Sequence, residues 1–173
     1  FTSRGGYRIG SSDVAALGAE TILTNGANFT LLVSGGNLRV GDSANPVASR
    51  LIVDNSTLTM SGGELGIPYN ASATGEVLQN GGLVSGAVVN MRARGTYVLK
   101  DGILEPRQIK KTGSGTATIQ FDNATLRPAS GFVEPFFSGV NVAEILAGGL
   151  ILDAYTDFTV DQALRGAVGL RKT

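Results

Sequence analysis

The chain has 173 residues, enough for one domain with a buried core, and its 14 lysines and arginines balance 14 aspartates and glutamates. With no net charge, no overall field draws it to nucleic acid or to an anionic bilayer. Glycine, at 25 residues, is about twice its usual frequency, yet 42% of the chain is hydrophobic and no every-third-residue glycine exists. Collagen and disorder are both excluded, and a β-rich fold that turns often while burying a continuous core is what remains.

Cysteine, histidine and tryptophan are absent. That removes disulfides, thiolate metal sites, Ser-His and Cys-His catalysis and nearly all zinc chemistry, so no cofactor is expected. No run approaches the roughly 18 apolar residues of a membrane span, and no membrane insertion of this segment is expected. The opening Phe1-Thr2-Ser3-Arg4 does not read as a signal peptide.

In chain order, a first phrase is a short apolar strand ending in a polar turn. It occurs as Tyr7-Arg8-Ile9-Gly10-Ser11-Ser12, Leu38-Arg39-Val40-Gly41-Asp42-Ser43 and Leu65-Gly66-Ile67-Pro68-Tyr69-Asn70. A second phrase is a few strand-formers, a polar residue, Gly-Gly, then another apolar strand. It runs Leu31-Leu32-Val33-Ser34-Gly35-Gly36-Asn37-Leu38, Leu58-Thr59-Met60-Ser61-Gly62-Gly63-Glu64-Leu65 and Val77-Leu78-Gln79-Asn80-Gly81-Gly82-Leu83-Val84. Weaker copies follow at Asp101-Gly102, Asn123-Ala124 and Gly148-Gly149. With Gly36, Gly63, Gly82, Gly102, Ala124 and Gly149 as anchors, the steps are 27, 19, 20, 22 and 25 residues. Two phrases that keep their order mean that whole coils repeat.

Helix is poorly supported, since the apolar runs are short, β-branched and broken by Gly, Asn or Ser. The best helical stretch, residues 142–146, is too short to stand alone. Alternation in Leu58-Thr59-Met60 and in Thr116-Ala117-Thr118-Ile119-Gln120-Phe121 points one strand face inward. The expected fold is therefore all-β: one β-solenoid domain over residues 1–173, a single-stranded parallel β-helix with coils of about 20–30 residues. Its corners need φ > 0, which suits Gly and then Asn, here Asn80 and Asn123. At the strand spacing of ~4.8 Å, seven or eight coils make a rod of roughly 35 Å. An antiparallel sandwich is the structural alternative.

The phrases resemble the autotransporter-associated β-strand repeats of secreted bacterial passenger proteins. Met60-Ser61-Gly62-Gly63-Glu64-Leu65, Gln79-Asn80-Gly81-Gly82-Leu83, the stretch from Ile109-Lys110-Lys111-Thr112 through Gly113-Ser114-Gly115 to Thr116-Ala117-Thr118-Ile119, and Val160-Asp161-Gln162-Ala163-Leu164-Arg165-Gly166 carry the likeness. It implies a right-handed parallel β-helix, export to the bacterial cell surface or beyond, and structural or adhesive roles. It implies no catalytic residues. The first 30 residues and the proline-containing stretch 128–140 fit it least.

Asp13, Asp42, Asp54, Asp101, Asp122 and Asp153 fall singly beside Gly, Ser or Asn, which is turn chemistry rather than an acid-base cluster. Asp153, Asp157 and Asp161, four residues apart, read as solvated strand edges before they read as a calcium site. Arg92, Arg94, Lys100, Arg107, Lys110 and Lys111 form a mildly basic middle, read first as a solvated face and second as a contact for an acidic glycan; no aromatic residues interleave to stack on sugars or bases. Asn28-Phe29-Thr30, Asn55-Ser56-Thr57, Asn70-Ala71-Ser72 and Asn123-Ala124-Thr125 match the N-glycosylation pattern, which an Asn- and Thr-rich chain produces by chance. In residues 131–139, Phe132, Phe136 and Phe137 must cover something, either the chain's own wall or a partner.

Ile109-Lys110-Lys111-Thr112 and Leu170-Arg171-Lys172-Thr173 are the same phrase, and neither end of the chain reads as a polar capping repeat. The expectation is a non-catalytic structural or adhesive solenoid. It self-associates head-to-tail, through Phe1, Leu170, Arg171, Lys172, Thr173, Phe132, Phe136 and Phe137, or adjoins further solenoid repeats. Extracellular glycans are a second class of partner and nucleic acid is not expected; the alternative function is a polysaccharide-binding or polysaccharide-cleaving β-helix.

Overall fold

The structure, a computed structural model, describes residues 2–3, 7–9, 20–31, 36–42, 48–70, 72–166 and 168–173. Among the described residues there is no helix, and short strands run through three walls in a repeating order. β1 (Thr2–Ser3) lies on the second wall, β2 (Tyr7–Ile9) on the third and β3 (Glu20–Leu23) on the first. The next coils bring β4 (Asn28–Leu31), β5 (Leu38–Val40) and β6 (Ala48–Val53), then β7 (Ser56–Met60), β8 (Glu64–Ile67), β9 (Thr74–Ser85) and β10 (Val88–Met91). β11 (Gly95–Glu105), β12 (Gln108–Lys111), β13 (Thr118–Phe121), β14 (Ala124–Leu126), β15 (Phe137–Ser138) and β16 (Val142–Ile145) follow. The last are β17 (Leu150–Leu152), β18 (Val160–Asp161), β19 (Arg165–Gly166) and β20 (Leu170–Lys172).

β9 and β11 are long because each turns a corner without leaving the sheet. The first half of β9 pairs with β6 and its second half with β7; likewise β13 and β14 both pair with β11. The first two walls therefore join as one 13-stranded sheet, and the third wall is a separate sheet of seven strands ordered β18-β15-β12-β10-β8-β5-β2. Every pairing among the described residues is parallel, from Thr2↔Thr30 at one end to Leu152↔Lys172 at the other. This is the expected β-solenoid, and it excludes the antiparallel sandwich. Residues 142–145 form strand β16, not a helical turn.

Period-2 alternation builds the core. β7 buries Ser56, Leu58 and Met60 while Thr57 and Thr59 face out, and β13 buries Ile119 and Phe121 in the same way. Stacked coils bring like to like, so Leu58, Val84, Leu104, Leu126 and Leu152 form one inward column along the second wall. Each such side chain contributes about 1.5–3 kcal/mol by burial. The first phrase stacks as expected: Tyr7 pairs with Leu38 and Leu38 with Leu65 on the third wall.

The Gly-Gly phrase needs a correction, because it marks two corners rather than one. Gly81-Gly82, Asp101-Gly102, Asn123-Ala124 and Gly148-Gly149 turn the chain from the first wall to the second. Gly62-Gly63 turns it from the second wall to the third. Gly82 is in register with Ser56, not with Gly63, so the apparent step of 19 residues is a change of corner, while the coil itself is 26 residues long there. Both corners demand φ > 0 (Gly63 at 73°, Gly82 at 76°) and both bring backbone against backbone, so both select glycine. Asparagine substitutes at Asn55 (φ 47°) and Asn123 (φ 54°), whereas Asn80 is not among the positive-φ residues. In-register partners are 31 residues apart at Tyr7/Leu38, 20 at Val89/Ile109 and 28 at Ile109/Phe137, and the extra residues leave at corners.

Candidate functional site

The outward surface of the third wall carries the densest polar chemistry among the described residues. Its outward column reads Arg8, Arg39, Gly66, Asn90 and Lys110, in register from β2 to β12. Gly66 leaves a gap in that column, and the ring of Tyr69 folds back into it. A Cβ at Gly66 would stand 2.7 Å from Tyr69 Cδ2. The ring is held between Arg39 of the preceding coil, 4.0 Å from its centroid, and Arg92 of the following coil, 4.8 Å away.

Two carboxylates complete this surface, and each sits among cations. Asp42, its side chain only 10% exposed, pairs with Arg8 Nε at 3.2 Å and Arg39 Nη1 at 3.6 Å. Glu64 pairs with Arg92 and Lys110, both at 3.7 Å, and accepts a hydrogen bond from Asn90 Nδ2 at 3.1 Å. Thr112 Oγ1 donates to Asn90 Oδ1 at 2.9 Å, and Arg92 Nη1 also donates to the carbonyl of Tyr69. The sequence reading missed the Tyr69 clamp. Glycine in an outward strand position with an aromatic residue three positions later was its only signal.

The six expected basic residues do not gather on one face. Arg92 and Lys110 meet at Glu64, but Arg94 bonds the Ser72 carbonyl, Arg107 the Gly131 carbonyl and Lys111 the Gly113 carbonyl. Lys100 sits at the corner between the first and second walls.

The aspartates are dispersed too. Asp101 accepts from the backbone N–H of Gly102 at 2.6 Å, and Asp122 from that of Gly148 in the next coil at 2.6 Å, so a corner carboxylate ties stacked turns together. Asp54 accepts from Thr24 Oγ1 at 3.3 Å. Asp153 pairs with Arg127 beyond the second wall while Asp161 lies on the third, so Asp153, Asp157 and Asp161 do not share a side. Asp13 lies outside the described residues, as does Ala71 of the Asn70 glycosylation pattern. Among the described residues no cluster of three or more acidic side chains stands ready to hold a metal ion.

On the first wall a groove of about 410 Å³ is lined by Glu20, Arg50, Glu76 and Thr96. Arg50 pairs with Glu76 at 2.5 Å and with Glu20 at 3.6 Å. On the second wall Arg127 joins Glu105 at 2.5 Å and Asp153 at 3.5 Å, and the hydrogen bond to Glu105 raises its already high pKa. Each of these pairs of carboxylates has an arginine between its members.

The phenylalanine-rich stretch folds back on its own chain. Phe136 and Phe137 are fully buried, and Phe132 packs edge-on against Phe136 and Phe158 with centroids 6.1 and 6.5 Å away. Of the residues expected to associate, Phe136 and Phe137 thus serve the core, and Phe1 lies outside the described residues. Leu170, Arg171 and Lys172 form β20, the outermost strand of the second wall, with Thr173 beyond it. Their phrase twin around Lys110 lies on the third wall, so the two do not stack. An apolar cavity of about 240 Å³ opens at the other end of the core, lined by Tyr7, Ile9, Leu23, Phe29, Leu38 and Leu51 among others.

Among the described residues no helix is long and apolar enough to cross a membrane. No family model, no curated protein and no solved structure matches the chain, so the β-solenoid rests on its own geometry.

Proposed function

We propose that the chain is a non-catalytic structural or adhesive solenoid that works at a bacterial cell surface by stacking further strands on its end coils. Those strands come from a second copy or from adjoining solenoid repeats. The observation that carries this reading is one column of the second wall. Leu150 and Leu170 are in register; Leu150 is 1% exposed and Leu170 50% exposed. A strand laid on β20 would bury Leu170 as β20 buries Leu150, at about 25 cal/mol per Å² of apolar surface removed from water. The repeat phrases support the surface location, since they resemble those of exported passenger proteins.

The interior suits a packed scaffold: no buried side-chain nitrogen or oxygen lacks a hydrogen-bond partner among the described residues. Sedimentation velocity and negative-stain microscopy across a concentration series test the association. Oligomers or filaments that lengthen with concentration support stacking of copies, and single dispersed particles throughout overturn it. Release of reducing ends or unsaturated products from an acidic polysaccharide would overturn the non-catalytic reading.

A further inference from the structure

We infer that the outer surface of the third wall binds a linear polysaccharide carrying carboxylates, a uronate polymer laid along the solenoid axis. Charge is segregated around this neutral chain. The third wall sets Arg8, Arg39, Arg92 and Lys110 against Asp42 and Glu64, an excess of two positive charges across the stacked strands β2 to β12. The opposite corner, between the first and second walls, carries Asp54, Asp101 and Asp122 beside Lys100. Cations on four of the five stacked rungs, Arg8, Arg39, Arg92 and Lys110, with a gap at the Gly66 rung, suit a polyanion that crosses the strands.

The wall's own contacts choose the chemistry. Asp42 and Glu64 show how a carboxylate sits there, Asp42 between Arg8 of the preceding coil and Arg39 of its own, and Glu64 between Arg92 and Lys110 of the next two coils. Arginine and lysine at that spacing receive a further carboxylate through charge-assisted hydrogen bonds. Arg8, with 57% of its side chain exposed, and Lys110, with 35%, are the outward members. Among the described residues Tyr69 is the only aromatic residue of this row, and its ring is engaged by Arg39 and Arg92. Among the described residues of this row no free ring is left for base stacking, which single-stranded nucleic acid uses for much of its affinity. Recognition by charge and hydrogen bonding is left, and it does not depend on whether the end coils associate.

Affinity electrophoresis through gels containing polygalacturonate, with neutral dextran, dextran sulfate and poly-dT gels in parallel, tests the inference. The expected result is retardation by polygalacturonate that weakens steeply with added salt, with none by dextran and less by poly-dT and dextran sulfate. Arg8→Glu combined with Lys110→Glu is expected to weaken retention at least tenfold, and Lys100→Glu on the opposite corner to leave it unchanged. Arg8→Gln with Lys110→Gln, which removes the charge but keeps a polar side chain able to hydrogen-bond, is expected to give a smaller loss and guards against misfolding of the charge reversal. The inference fails if polygalacturonate does not retard the wild type, if neither double variant weakens retention, or if poly-dT or dextran sulfate is held more tightly. It fails also if the double variants alter sedimentation of the protein alone, which would assign the wall to a second copy. Leu170→Asp should leave polygalacturonate binding intact, separating this outcome from that of the end-coil association.

Discussion

Tyr97 and Gln79, both fully buried and on adjacent coils of the first wall, share a hydrogen bond of 2.7 Å in which the tyrosine hydroxyl donates to Gln79 Oε1. Gln79 Nε2 in turn donates to the carbonyls of Gly82, at 3.3 Å, and Ile103, at 3.0 Å. A polar pair is thus tolerated in an apolar core because each of its groups has a partner, and it pins the corner where β9 and β11 bend. Tyr97→Phe removes the donor and leaves Gln79 Oε1 buried without a partner. Urea unfolding is expected to show a loss of about 1–3 kcal/mol.

The same tyrosine sets an alkaline limit. Burial raises the Tyr97 pKa far above its ordinary value of about 10. Below that ordinary value both folded and unfolded chains keep the proton, and the group adds no pH dependence. Above it the unfolded chain releases the proton while the folded chain retains it, so stability falls as pH rises, by about 1.4 kcal/mol per pH unit. Comparing wild type with Tyr97→Phe between pH 9 and about 11 checks this; the variant should lack that part of the decline.

Glycine substitutions at two positive-φ positions separate backbone strain from stacking. A Cβ at Gly82 would overlap the backbone of Ser56 in the preceding coil, whereas a Cβ at Gly131 meets nothing within 4 Å. Gly131→Ala therefore carries only the left-handed backbone cost, about 1–2 kcal/mol. Gly82→Ala adds displacement of a neighbouring coil and should lower stability by several kcal/mol, or prevent folding. Equal effects in thermal unfolding would show that corner stacking does not govern the choice of glycine.

On the third wall, Gly66→Ala is expected to evict the Tyr69 ring and release the two cation–π contacts, costing about 1–2 kcal/mol. In a double-mutant cycle with Tyr69→Ala the two losses should not add, because both remove the same contact. Additive losses would mean that the gap and the ring are unrelated.

Leu170→Asp tests the end coil. The side chain is half exposed, so monomer stability should move by no more than about 0.5 kcal/mol while concentration-dependent association is lost. Association unchanged by the substitution would remove β20 from the interface.

Much of the fold was legible in the sequence because its signals are local. Glycine at a φ > 0 corner, alternation in Leu58-Thr59-Met60 and the repeated strand of Leu38-Arg39-Val40 are each written in a few adjacent residues, so the β-solenoid and its coil length follow from them. What misled was phase. Gly62-Gly63 and Gly81-Gly82 look alike because two corners impose the same backbone demand, and only the pairing of Gly82 with Ser56 tells them apart. The wall surfaces were equally hidden. Arg8, Asp42, Tyr69, Arg92 and Lys110 lie far apart in sequence, on coils whose lengths vary, and they become neighbours only when those coils stack. By itself the sequence determined that the chain coils and where it turns, since backbone sterics act residue by residue. Tertiary structure alone decided which side chains share a wall, because that depends on register summed over every insertion between them.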